Sequence, residues 1–111
     1  MEVQTRFSHE IESLPNDESG NKVTKITCHG RVTALNVGEL KELVKPLLPA
    51  GGRTVVDLGD VDFVDSSGLG ALIGLKISAI NQGLCILEFV NITAPVLKLL
   101  RLANLEKILT S

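Results

Sequence analysis

The stretch Val61-Asp62-Phe63-Val64-Asp65-Ser66-Ser67-Gly68-Leu69-Gly70 decides how this chain is read. Before it lies a short β-branched run, Arg53 to Leu58 (RTVVDL), bounded by glycines. Such a run suits a central strand buried on both faces, with Asp57 at its carboxyl end. After it comes a helical segment, Gly68 to Gln82, in which Leu69, Leu72, Ile73, Ile77 and Ile80 share one sector of the helical wheel. Leu75 falls outside that sector and Lys76 inside it, which leaves Leu75 available for contact with a partner. A loop between a buried strand and a helix is where open α/β sheets carry their sites. Ser66 and Ser67 fall at the helix start, where the first N–H groups lack partners and the dipole favours negative charge. Two readings are open from these residues: a place that welcomes a phosphate, or Asp65, Ser66 or Ser67 acting as a plain helix cap.

The flanks extend the same pattern. Val3 to Ile11 is extended, and Ser13 to Lys22 (SLPNDESGNK) collects turn residues, which predicts a hairpin loop. Val23 to Cys28 alternates as a strand and stops at Gly30. Asn36 can cap a helix carrying Val37, Leu40, Leu43, Val44 and Leu47 until Pro49 and Gly51-Gly52 end it. Downstream, Gly83 closes the second helix and Leu84 to Val90 (LCILEFV) reads as a strand. Thr93 caps a third helix with Pro95 in its first turn and Val96, Leu99, Leu100 and Ala103 on one face. A short strand near Lys107 to Leu109 closes the chain. The alternation predicts an α/β fold: one domain over residues 1–111, with a mixed four- to five-stranded sheet, parallel βαβ pairs, and helices packed mainly on one face.

Composition narrows the function. At 111 residues, 44% apolar and 22% charged, the chain has the makings of one core. A net charge of -2 without a Lys/Arg cluster excludes a nucleic-acid footprint, which needs several cations on one face. With three Phe and no Trp or Tyr, stacking platforms and aromatic cages are excluded by inventory. No apolar run approaches the roughly 20 residues that span a bilayer and no signal-peptide pattern opens the chain, so membrane insertion is not expected and a cytoplasmic location is. Cys28 and Cys85 sit in apolar strand segments and read as buried free thiols.

Rival chemistries find little. Asp57, Asp60, Asp62 and Asp65 lack the ligand spacing of a Mg²⁺ or Ca²⁺ loop. Gly68-Leu69-Gly70 opens a helix, but Gly74 comes one residue late for G-x-G-x-x-G and no Walker-type Lys is present; these glycines suit close helix packing. His9 and His29 stand outside any nucleophile or metal motif, and G-x-S-x-G is absent. Neither catalytic residue, metal nor cofactor is expected.

Asp65-Ser66-Ser67-Gly68-Leu69-Gly70 resembles the phosphorylation loop of the STAS-domain anti-anti-sigma factors, which reads close to D-S-S/T-G-L-G before a helix. The resemblance runs over nearly all of the domain: the apolar strand ending in Gly30, a capped helix, VVDLGDVDFVDSSGLGALIGL, the strand LCILEFV, and NITAPVLKLLRLANLEKIL. It implies a STAS fold and a partner-switching cycle. The unphosphorylated protein binds an anti-sigma factor that is also a serine kinase, freeing a sigma factor; phosphorylation ends binding, and a metal-dependent serine/threonine phosphatase resets the cycle. By position the phosphoacceptor is Ser66, with Ser67 as runner-up. The partner surface is expected to include Asp62, Asp65, Ser66, Ser67, Gly68 and Leu69, with Leu75 on the outer side of the helix. Where many members carry a G-x-L-D-type turn, this chain has Gly30-Arg31-Val32-Thr33, so Thr33 replaces a carboxylate in a loop that the family's fold brings near the phosphorylation loop. An unphosphorylated STAS subunit scaffolding a transport or stress-signalling complex is the alternative, and a small nucleotide binder or enzyme a more distant one.

Overall fold

The computed structural model describes residues 7–111. Among these residues four strands and five helices follow in the order β1 (Phe7–Leu14), β2 (Val23–Val32), α1 (Val37–Val44), α2 (Leu47–Ala50), β3 (Gly52–Val64), α3 (Ser66–Gln82), β4 (Cys85–Val90), α4 (Ala94–Leu102) and α5 (Glu106–Thr110). The sheet order is β1-β2-β3-β4. β1 runs antiparallel to β2, while β2, β3 and β4 are mutually parallel. The sheet is therefore mixed, as the alternation of elements predicts, and each parallel pair is joined through helices. The part of the expected extended segment before Phe7 lies outside the described residues.

The hairpin between β1 and β2 is organised by one side chain. Asp17 accepts hydrogen bonds from the backbone N–H groups of Ser19 and Asn21, from Asn21 Nδ2 and from Arg53 Nε. These donors hold its carboxyl down at about 2, the Asn21 backbone N–H contributing most. Arg53 also grips Glu88, so the loop, β3 and β4 are tied together across the sheet.

One face of the sheet is buried and the other is not. Ile26 and Cys28 from β2, Thr54, Val56 and Leu58 from β3, and Cys85, Leu87 and Phe89 from β4 point into the core with Leu40, Val44, Leu72, Leu75 and Leu109 from the helices. The alternate residues of β3, Arg53, Val55 and Asp57, are only half-buried, on a face lined by the Asp17–Arg53–Glu88 and Lys25–Asp57 pairs. The expectation of a β3 buried on both faces is corrected accordingly. Asp57 is also not at the strand end, because β3 continues to Val64 through two register shifts against β2.

Three further expectations change. The helix foreseen from Asn36 to Pro49 is two, since Pro46 has no N–H to give and interrupts it after Lys45. Glu106–Thr110 is helical rather than a closing strand; its Leu109 is buried against the core while Lys107 and Ile108 stay exposed. The third correction concerns α3. Its buried residues are Gly68, Ala71, Leu72, Leu75, Lys76 and Ala79, whereas Ile77 and Ile80 are 42% and 57% exposed. Leu75, expected on the outside, is in the core. Two contacts set this orientation: Gly68 lies against the Val32 carbonyl, and the Lys76 ammonium donates to the Leu87 carbonyl of β4. The small residues Gly68, Ala71 and Ala79 allow α3 to sit close, a fit that a hydrophobic wheel does not weigh.

Candidate functional site

The site is the N-terminus of α3 and the loop beside it. Asp65 is the N-cap in extended conformation, and its Oδ1 accepts from Gly68 N at 2.7 Å. Its Oδ2 accepts from Ala34 N at 3.0 Å, in the β2–α1 loop. The Asp65 backbone N–H donates to Val32 O, so one residue joins the end of β2, the β2–α1 loop and the start of α3. Those bonds, led by that from Gly68, hold the Asp65 carboxyl below the ordinary carboxylate range.

Because Asp65 caps the helix, Ser66 and Ser67 are not needed for that task. They occupy the first two helical positions, and both are exposed. The plain-cap reading is thus satisfied by Asp65 alone, and the two serine hydroxyls face solvent at the positive end of a 17-residue helix. Gly68, the third position, is buried: a β-carbon there would overlap the Val32 carbonyl oxygen and lie 2.8 Å from Val64 Cγ1. Its role is packing and not surface contact. A β-carbon added at Gly70 or Gly74 would meet nothing within 4 Å, so these two glycines are not required by close packing.

Thr33 stands where the resemblance placed it, next to the α3 N-terminus. Its hydroxyl accepts from Leu35 N, its N–H donates to Asn36 Oδ1, and Ala34 beside it reaches Asp65. Asn36 therefore stabilises this loop and does not cap α1 with its side chain. Thr93, likewise expected as a cap, donates from its hydroxyl to Val61 O at 2.7 Å and anchors α4 to β3.

Beside Ser66 the surface is mainly apolar. A shallow groove of about 320 Å³ is lined by Val64, Asp65, Ser66, Leu69, Leu99, Leu102 and Ala103. Leu102 is 73% exposed and Leu35, in the loop next to Asp65, is 91% exposed. Asp62 is exposed on the segment leading into the site. Leu35, Leu99 and Leu102 were not anticipated as site residues. Leu99 belongs to the apolar face that reads as core, while Leu35 lies in a loop and Leu102 off that face, and only packing shows that all three are exposed here.

The acidic set does not converge. Asp57 takes Gly59 N and Asn91 Nδ2, Asp60 takes His29, and Asp65 takes Gly68 N and Ala34 N. Among the described residues no group of three His, Cys, Asp or Glu side chains is arranged to hold a metal ion. Cys28 and Cys85 are buried free thiols in strands, and burial, aided by the charges of Asp57 and Glu39, pushes the Cys28 thiol up to about 12. Among the described residues no helix is long and apolar enough to cross a membrane.

A mixed four-stranded sheet carrying helices on one face, with an exposed serine pair following the aspartate cap at the head of α3, makes a single small α/β domain. The family model described as "Mlab, STAS domain" matches residues 16–110, and the chain belongs to the STAS domain family. Among solved structures it is similar to the anti-sigma factor antagonist SpoIIAA in its unphosphorylated form, at TM-score 0.68 and 16% identity over 90% of this chain and 84% of that one. An anti-sigma factor antagonist from Mycobacterium paratuberculosis aligns at TM-score 0.62 and 20% identity, over 88% and 81% of the two chains. The murine anion transporter Slc26a9 aligns at TM-score 0.61 and 24% identity, over 71% of this chain and 13% of the transporter. At these identities the likeness is one of fold. No curated protein matches the chain.

Proposed function

We propose that this domain is an anti-sigma factor antagonist: unphosphorylated, it binds an anti-sigma factor with serine kinase activity and so releases a sigma factor; phosphorylation of Ser66 ends that binding. The observation that carries this reading is the division of labour at α3, where Asp65 does the capping and leaves the Ser66 hydroxyl exposed at the first helical position. A phosphoryl group there adds about -1.5 to -2 charge at a helix N-terminus that tolerates it. The same charge, beside the Asp65 carboxylate, is costly to desolvate under a docked partner. Leu69, Leu99, Leu102 and Leu35 supply apolar contact area around the serine, and Thr33 lies in the same surface. A metal-dependent serine/threonine phosphatase returns the protein to its binding form. No catalytic residue and no cofactor is assigned, and the protein acts by occupying its partner.

Similarity in fold to part of a membrane anion transporter supports a second reading, a STAS scaffold subunit that is never phosphorylated. Intact-mass spectrometry after incubation with ATP and the anti-sigma kinase separates the two. Gain of one phosphate by the wild type and Ser67→Ala but not by Ser66→Ala fits the antagonist. An unmodified wild type that still binds its partner fits the scaffold.

A further inference from the structure

We infer that His29 is a proton-operated clamp that holds the edge strand β1 onto the sheet, independently of the Ser66 site. His29 Nδ1 lies 2.6 Å from Asp60 Oδ2 on β3, and its Nε2 lies 2.7 Å from Glu10 Oε1 on β1. An ionised carboxylate only accepts hydrogen bonds, and a neutral imidazole has a single N–H. Both contacts can be hydrogen bonds at once only when both ring nitrogens are protonated, so the geometry is that of an imidazolium bridging two carboxylates. Loss of the proton sets a nitrogen lone pair against a carboxylate, and one arm must open.

The position of the clamp matters. The β2–β3 ladder shifts register between Thr27 and His29 and again between Gly30 and Arg31, so backbone pairing is interrupted on both sides of this residue. The side-chain bridge spans the three strands at the point where the β2–β3 ladder is irregular, while the β1–β2 register runs unbroken through Ser8 and His29. The charged groups facing it are Glu10 from β1, Arg31 on its own strand, and Asp60 and Asp62 from β3. Arg31 is turned onto the Phe63 ring, 5.1 Å from its centre. The hydrogen bond to Glu10, then that to Asp60, raises the His29 pKa above its ordinary 6.5. A folded-state value above the unfolded one means the stabilisation is complete below the ordinary value and is lost as pH rises through the folded value.

The test is NMR on the full chain, following the His29 ring and the protection factors of β1 amides between about pH 5.5 and 8.5. In the wild type the ring should titrate above the ordinary histidine position, and β1 protection should fall several-fold across that titration while the β3 core stays protected. His29→Gln should make β1 protection independent of pH. Glu10→Gln should lower the titration midpoint and abolish the β1 response; Asp60→Asn should lower the midpoint but keep a response, because the β1 arm survives. A His29 that titrates at the ordinary position, or a pH dependence of β1 that persists in His29→Gln, would overturn the inference.

Discussion

Gly68 and Val32 touch so closely that the first turn of α3 leaves no room for a side chain over the end of β2. A methyl group at Gly68 must push the helix away from the Val32 carbonyl and from Val64, and with it the Asp65 bonds that shape the site. Gly68→Ala should cost about 3 kcal/mol or more in urea denaturation. Gly70→Ala and Gly74→Ala, in open space on the same helix, should instead stabilise by about 0.5–1 kcal/mol. Equal effects at the three glycines would contradict the packing described.

Asp65 holds Gly68 N and Ala34 N with its two carboxylate oxygens. Asp65→Ala should lower the melting temperature by about 5 °C through loss of the cap. Asp65→Asn keeps acceptor capacity and should fall between. Amide exchange at Ala34 and Leu35 should rise in Asp65→Ala even though neither residue is near it in sequence, and an unchanged rate there would exclude the link between the two loops.

Asp17 responds to acid. Its carboxyl sits at about 2 against an ordinary 3.8, so it stabilises the fold above the ordinary value and this stabilisation is lost as pH falls through about 2. The urea midpoint of the wild type should drop between about pH 4 and 2, and Asp17→Asn should flatten that part of the curve. A curve of unchanged slope would place the acid sensitivity elsewhere.

Lys76 is buried with its ammonium on the Leu87 carbonyl, and burial lowers its pKa. The desolvation of the charge offsets much of what the hydrogen bond contributes. Lys76→Met, which keeps the stem packed, should change stability by no more than about 1 kcal/mol, whereas Lys76→Ala should cost about 2 kcal/mol from the cavity and the bare carbonyl. Thermal melts of the pair distinguish packing from charge: similar losses in both would mean that the hydrogen bond dominates.

The helix α3, its glycine end at Gly83 and the serine pair at its head are legible in the sequence because each has a local cause. Gly83 takes the left-handed conformation that closes a helix, with φ of 69°, and the Asp-Ser-Ser run offers a cap in any context. The face of α3 was misjudged because Ile77 and Ile80 are more hydrophobic than Ala71 and Ala79, yet the sheet accepts the smaller side chains. Glu106–Thr110 was misjudged because a short apolar run carries no period long enough to separate helix from strand. The extent of β3 was misjudged because Gly59 and its acidic neighbours look like a turn, while the bulges of the β2–β3 pair let the strand continue through them.

What the sequence determined by itself is the strand–helix alternation as far as α4, the mixed sheet and the place of Ser66 at the head of α3, all products of local pattern and turn chemistry. Tertiary structure alone decided which of three candidate residues caps α3, that Ala34 shares its carboxylate, that Leu75 is core and Leu35 and Leu102 are surface, and that His29 meets two acids from two other strands. The Ala34 and His29 contacts depend on approach between segments 19 to 31 residues apart, and such pairings are chosen by packing and register rather than by any window of sequence.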